Sequence, residues 1–427
     1  MITFLSTRIR WILIFWIFTI SAVAYLDRVN ISIAGRSIAN EFHLTNVELG
    51  WVFSAFVIGY AIAQAPAGWL ADRLGPRLVI TAGVIWWGIF TSALTMLSAQ
   101  MGGLIVLLMM FRFLLGIGEA VMYPASNCVI ASWIPSSERG IANGFIFAGV
   151  GFGAGVTPPL IAYIITVYSW RASFWFSAAL GLLAGAIWYA LSRNTPKQHP
   201  WTTEQEKRYI EAGLPANPAK HAGSRLPWRA IVSDKNILAV TFSYFCYGYA
   251  AYIFFSWFFI YLNDVRGLNL RQSSYYTMLP FIAMALGSPI GGWISDRLTR
   301  RRGKRIGRCG VAAVGIGLSA LFIALGTQVQ SAQLATIILA GGAGALYLSQ
   351  SSFWSVSADI GGKSAGSVSG FMNMGGQFGG ALTASLTPAI ANHLGWNASF
   401  LVAAGLCACG ALAWLVVKPE EDPASLG

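Results

Sequence analysis

From residue 9 onward the chain alternates between long apolar runs and short turns that are polar or contain glycine and proline. Nowhere does it show the strict two-residue alternation that marks half-buried strands. A hydrocarbon core of roughly 30 Å is crossed by about 20 apolar residues in helical form. Runs of that kind are predicted over 9–30, 46–70, 77–99, 102–124, 138–166, 172–192, 236–263, 272–296, 306–327, 331–359, 363–392 and 396–418. The pattern therefore predicts an all-α membrane protein with twelve transmembrane helices, and the lack of alternation excludes a barrel.

The runs repeat. Gly68-Trp-Leu-Ala-Asp72-Arg73-Leu returns as Gly292-Trp-Ile-Ser-Asp296-Arg297-Leu. Gly144-Phe145, Gly149 and Phe152-Gly153 return as Gly370-Phe371, Gly375 and Phe378-Gly379, and Trp170-Arg-Ala-Ser-Phe174 returns as Trp396-Asn-Ala-Ser-Phe400. Three matches in one order, offset by 224 to 226 residues, predict two pseudo-symmetric six-helix bundles, an arrangement common in transporters. The bundles are expected over 1–192 and 236–427, the second with a short tail, joined by a polar cytoplasmic linker over 193–235.

Composition agrees with a membrane class. Of 427 residues, 56% are hydrophobic and 10% charged, where soluble domains carry about a quarter charged. The net charge of +12 could suggest nucleic acid, but its placement argues for topology. With a cytoplasmic N-terminus, that side receives Arg8, Arg10, Arg73, Arg77, Arg139, eight Lys/Arg from Arg193 to Lys235, seven from Arg297 to Arg308, Lys363 and Lys418. The other side receives Arg36, Arg171, Arg266 and Arg271. This positive-inside asymmetry places both termini in the cytoplasm of a multi-pass protein in the plasma membrane, the inner membrane if the cell is bacterial. No nucleic-acid partner is expected. The first run lacks a small-residue cleavage site and reads as a retained helix. Five cysteines without Cys-x-x-Cys spacing and four histidines scattered through loops predict no disulfide frame, no metal site and no cofactor.

Charges inside apolar spans are costly and are usually kept for ion or substrate handling. Four stand out: Asp27, Arg28, Arg112 and Glu119, all in the first half. Arg112 and Glu119 are seven residues apart and share one face of the fourth span. With both acids ionised the arginines are balanced; protonating one acid leaves a net positive charge for an anion. Arg28 is expected to clamp a substrate carboxylate, for which the guanidinium fork is suited. Glu119, with Asp27 second, is expected to carry the proton, and Arg112 to restrain an acid in the proton-free state. A static ion pair that fixes helix packing is the alternative for the same residues. Asn373 and Tyr25 are candidate substrate contacts, as is Tyr252 among the phenols Tyr244, Tyr247, Tyr249 and Tyr252 around the seventh span. Gln377 and Ser351 are weaker candidates.

Several of these segments resemble known signatures. Gly68 to Arg77 and Gly292 to Arg302 resemble the loop motif of the major facilitator superfamily. Within it the chain is similar to the anion:cation symporter branch, which includes sialin and bacterial sugar-acid transporters. That likeness rests on Tyr25-Leu-Asp27-Arg28-Val-Asn30, Arg112-Phe-Leu-Leu-Gly116-Ile-Gly118-Glu119-Ala, Pro124 closing the fourth span, and Ala131-Ser-Trp133-Ile-Pro135-Ser-Ser-Glu138-Arg139-Gly140. The resemblance implies the roles given above for Arg28, Glu119, Asp27, Arg112 and Asn373. It also implies gating by Asp72 and Asp296, each capping the positive end of a neighbouring helix, with Arg73, Arg77 and Arg297 adding pairing on that face. One departure matters: where sugar-acid relatives carry glutamine in the fifth helix, this chain reads Gly149-Val150-Gly151, which turns the expectation towards less polar and aromatic carboxylates.

The sequence thus predicts a non-enzymatic, monomeric, proton-coupled symporter that imports a small organic anion by alternating access across the lipid bilayer. A proton-coupled exporter of amphiphilic compounds is the rival, and a membrane sensor a more distant one. The adjacent Asp27-Arg28 pair favours the anion.

Overall fold

The computed structural model describes residues 8–214, 226–258, 261–268 and 270–419, and every regular element among them is helical. Ten helical stretches are long and apolar enough to cross a membrane. Two of these, Tyr275–Gln328 and Ala332–Thr383, run to 54 and 52 residues, which at about 1.5 Å per residue is more than twice the thickness of a hydrocarbon core. Each therefore holds two crossings, and the breaks fall at Gly303 (φ 82°) and Gly362 (φ 51°), a left-handed conformation that glycine adopts without penalty. Twelve crossings result.

The first half comprises α1 (Ile9–Phe42), α2 (Asn46–Leu74), α3 (Pro76–Leu94), α4 (Leu104–Glu119) with its continuation α5 (Met122–Trp133), α6 (Arg139–Val167) and α7 (Trp170–Leu191). A short helix, α8 (Glu204–Gly213), follows. The second half comprises α9 (Lys235–Ser256), α10 (Leu270–Lys304), α11 (Val311–Gln328), α12 (Ala332–Gly361), α13 (Ala365–Leu394) and α14 (Trp396–Ala413). Helix starts carry local signals: Thr45 and Glu48 form a capping box at α2, and Ser169, Asp234 and Ser331 cap α7, α9 and α12 through their side chains.

Packing follows the sequence repeat. In the first half α1 packs on α6 and α7, α2 on α4, and α3 on α4 and α7. The second half reproduces these pairs as α9 on α13 and α14, α10 on α12, and α11 on α12 and α14. The halves meet along two equivalent seams, α6 with α10 and α2 with α13. These are two pseudo-symmetric six-helix bundles. Their outer surface is apolar: Val106, Leu183 and Leu321 are 64%, 58% and 52% exposed, which suits lipid as the solvent.

Two helices differ most from expectation. Helix α1 continues twelve residues past the predicted end at residue 30, because Asn30 is buried and satisfied by Ser173 and Ser177 of α7 and so does not mark a membrane surface. Pro124 does not close the fourth span. The helix is interrupted at Ala120 and Val121 and resumes through Pro124 to Trp133, since proline removes one backbone donor and crowds the carbonyl four residues earlier, bending the helix there. The stretch of the connection that ends at residue 214 docks on the first half, while the Leu226 N–H donates to the Ser364 hydroxyl of the second at 2.9 Å. Glu206 of α8 accepts hydrogen bonds from the backbone N–H groups of Ile9 and Arg10, at 3.1 and 3.2 Å, and pairs with the Arg10 guanidinium. It thereby satisfies the open N-terminus of α1. Residues 215–225 of the expected linker and 420–427 of the expected tail lie outside the described residues.

Candidate functional site

The repeated glycine-aspartate motif acts at the end of the molecule that carries the basic loops. Gly68 and Asp72 are four residues apart and share one face of α2. A Cβ on Gly68 would overlap the backbone of Gly366, so glycine permits α13 to approach closely enough for Asp72 to reach its first turn. There Asp72 accepts from the backbone N–H groups of Gly366 (3.0 Å) and Ser367 (2.8 Å), the Ser367 hydroxyl (2.6 Å) and the Cys128 thiol (3.3 Å). The second copy repeats this on the other seam: Gly292 packs on Gly140, and Asp296 accepts from the N–H groups of Gly140 (3.0 Å) and Ile141 (2.7 Å) at the start of α6. Each aspartate satisfies orphan donors and faces the positive helix end.

The arginines of the motif do not join these contacts. Arg73 stacks on Trp69 and Arg297 on Trp293. Arg77 donates to the Tyr189 carbonyl and stays within the first half. The cations that do cross-link this end were not singled out in the sequence. Arg139 of α6 pairs with Asp359 of α12 at 2.9 Å, and Arg308, which pairs with Asp296 of its own half at 2.7 Å, donates to the Ser136 carbonyl of the first half at 2.8 Å. Arg308 and Asp359 have fully buried side chains. They lie within a turn of predicted span ends, where a charge reads as interfacial, and only their contacts across the seam, Asp359 with Arg139 and Arg308 Nη2 with the Ser136 carbonyl, distinguish them.

If Asp72 and Asp296 hold this end shut, Asp72→Asn should raise the population open at the basic end by about tenfold, the equivalent of one charged hydrogen bond. Asp296→Asn should do more, because it leaves Arg308 buried without its closest partner. Spin-label distances across that end measure both; unchanged distributions would show the caps to be local.

Midway between the two ends lies a cavity lined from both halves. Helices α1, α2, α5 and α6 supply Tyr25, Tyr60, Tyr123 and Phe147; α9 supplies Tyr244, Tyr247, Tyr252 and Phe255; α12 and α13 supply Tyr347, Gln350, Asn373 and Gln377. The α9–α13 wall depends on glycine, since a Cβ on Gly248 would overlap the backbone of Gly376. Of the expected contacts, Tyr25, Tyr252 and Asn373 line this space and Tyr249 does not. Asn373 donates to Gln64 of α2 at 2.8 Å across the seam. Tyr60, Tyr123, Phe147, Tyr347 and Gln350 were not anticipated, because an aromatic in an apolar span reads as core until its neighbours are known.

Directly behind this wall are the buried charges. The Arg28 guanidinium lies over the rings of Tyr25 and Tyr60, its Cζ 4.7 and 4.1 Å from their centroids. Its Nε donates to Glu119 Oε2 at 2.6 Å. Arg28 Nη2 and Glu119 Oε1 are buried and have no hydrogen-bond partner. Asp27, turned the other way along α1, accepts from Thr91 of α3 at 3.0 Å. Arg112 sits over the Phe56 ring, 4.5 Å from its centroid, and its Nε and Nη1 have no partner. The expected restraint of an acid by Arg112 is therefore not a direct bond: the cation that holds Glu119 is Arg28, 91 residues away in sequence.

A family model described as Major Facilitator Superfamily matches residues 17–384 and 303–427. The chain is 34% identical over 404 residues to the probable sulfoacetate transporter SauU of Cupriavidus necator, covering 93% of this chain and 91% of that one. It is 31% identical to the probable galactarate/D-glucarate transporter GudP of Bacillus subtilis, covering 98% and 96%. The fold matches a solved structure of the proton:xylose symporter XylE with a TM-score of 0.74 at 16% identity, covering 95% of this chain and 96% of that one. It also matches FucP in its outward conformation with a TM-score of 0.72 at 16% identity, covering 96% and 99%.

Proposed function

The chain belongs to the Major Facilitator Superfamily, and from that premise we propose that it is a proton-coupled symporter importing a small organic anion by alternating access. The observation that carries this is the buried ion pair of Arg28 and Glu119, 2.6 Å apart, behind a central cavity that has no charged lining. In the empty, proton-free protein the pair is neutral. When Glu119 takes a proton, the Arg28 charge loses its counter-ion, and an anion entering between the tyrosines restores it through the free Nη2 donor. The doubly loaded site is again neutral. Only the half-loaded states leave an unpaired charge inside the membrane, where it costs several kcal/mol, so proton and anion cross together. Asp27 is the second candidate for carrying that proton, and Arg112 offsets its charge at a distance.

The two six-helix units, over 1–192 and 236–427 and joined by the linker 193–235, rock about the seams α2–α13 and α6–α10. Asp72 and Asp296 release helix ends as the basic end opens, and the residues of the cavity, Tyr25, Tyr252 and Asn373 included, exchange access between the two sides. The asymmetry of basic loops supports a cytoplasmic placement of that end and of both termini in the plasma membrane. Relatives named for sulfoacetate and for galactarate or glucarate support an anionic substrate. Reconstitution tests this: purified protein in proteoliposomes should accumulate an organic acid when the outside is acidic and should stop when the gradient is collapsed. Indifference to the proton gradient would remove the coupling, and expulsion of cationic amphiphiles with no acid transported would favour the exporter.

A further inference from the structure

The wall of the cavity constrains what the anion is, and this step rests on the symport reading above. Nine of its fifteen lining residues are aromatic and none is charged. The positive charge available to a ligand is that of Arg28, reached past the rings of Tyr25 and Tyr60. Tyr60 Oη is buried there without a hydrogen-bond partner and adds a donor at the same end. The second buried guanidinium, Arg112, lies over Phe56, which does not line the cavity, whereas Arg28 lies over two rings that do. A monoanion matches one freed cation. A dianion would leave a second negative charge without a partner in a space walled by rings.

The polar groups opposite are mostly committed. Tyr252 Oη donates to Gln377 at 2.6 Å, and Asn373 donates to Gln64 at 2.8 Å. A ligand bearing a row of hydroxyls would have to break these bonds to satisfy its own. What is left for a polar substituent is one neighbourhood: the Tyr247 hydroxyl, buried without a partner, and beside it Tyr244, whose ring stacks on that of Tyr247, with Gln350. The Tyr244 oxygen accepts twice, from Gln350 Nε2 at 3.0 Å and from Trp354 Nε1 at 3.2 Å, which leaves its own proton to donate. Gln350 Oε1 is buried and has no partner. A donor and an acceptor side by side fit one hydroxyl or amino group. The lining also holds the stacked pairs Tyr123–Phe147 and Tyr244–Tyr247, with centroids 4.9 and 5.1 Å apart, faces suited to a flat ring.

We infer that the substrate is an aromatic monocarboxylate with one hydroxyl or amino substituent on the ring, its carboxylate towards Arg28 and Tyr60 and its substituent towards Tyr244 and Gln350. The test is proton-driven uptake of labelled 4-hydroxybenzoate in proteoliposomes, competed by benzoate, phthalate, sulfoacetate, gluconate and glucarate. 4-Hydroxybenzoate should accumulate and should be preferred about tenfold or more over benzoate, which lacks the substituent, and over each dianion and polyol acid. Tyr244→Phe and Gln350→Met should each bring the ratio over benzoate to within about threefold. Proton-driven uptake of sulfoacetate, glucarate or gluconate in preference to the aromatic acids overturns this inference and leaves the symport reading standing. Transport of no organic anion overturns both.

Discussion

Glu119→Gln removes accumulation against a gradient while leaving exchange of anion for anion. Glutamine mimics the protonated carboxyl: it keeps the shape, presents an oxygen to Arg28 Nε and can never supply the negative charge that the empty site needs. The Arg28 charge is then uncompensated unless the anion is bound, and the empty carrier cannot return across the membrane. A gradient of about two pH units stores about 2.7 kcal/mol per proton, so one proton per monoanion supports up to about 100-fold accumulation. The variant should fall to about one-fold, with counterflow of labelled anion retained. Retained accumulation in Glu119→Gln would move the coupling role to Asp27.

Removing the guanidinium is expected to be as severe, through binding. In Arg28→Ala the anion loses its charged partner in a dry, ring-lined setting, worth about 2–5 kcal/mol, or a loss of about 30-fold to several thousand-fold in affinity. Arg28→Lys should rescue little, since an ammonium cannot hold the Nε contact to Glu119 and present a second, planar pair of donors at once. Because Arg28→Ala also strands the Glu119 carboxylate, which is fully buried, the double variant Arg28→Ala/Glu119→Gln serves as the folding control. It should express as well as the parent and still fail to bind. Binding measured by calorimetry within threefold of the parent in Arg28→Ala would make the pair structural.

The sequence exposed much of this arrangement because a membrane removes ambiguity: a helix that must cross lipid shows as an apolar run, and a charge inside one is visible by its cost. That is why the spans fell within a few residues of most observed helices and why Asp27, Arg28, Arg112 and Glu119 stood out together. The matching seams followed from the repeat, since Gly68 with Asp72 and Gly292 with Asp296 need the same partner surface. What stayed hidden were pairings between distant segments. Arg112 and Glu119 share a helix face by spacing alone, yet Arg28 from α1 makes the bond, and spacing along one helix says nothing about a neighbour's reach. Charges near span ends were equally opaque: Asp359 and Arg308 look interfacial in sequence and are buried between the halves. The tyrosine-lined cavity was the least legible part, for Tyr60, Tyr123 and Tyr347 differ from core aromatics only in what stands opposite them.

The account rests on the linkage of anion binding to a proton on Glu119. The measurement that tests it most directly is the proton uptake that accompanies binding of a transported anion to purified protein, followed in weakly buffered solution over a range of pH. The account predicts close to one proton taken up per anion bound by the parent and none by Glu119→Gln. Binding with no proton uptake, or the same uptake in the variant, would contradict it.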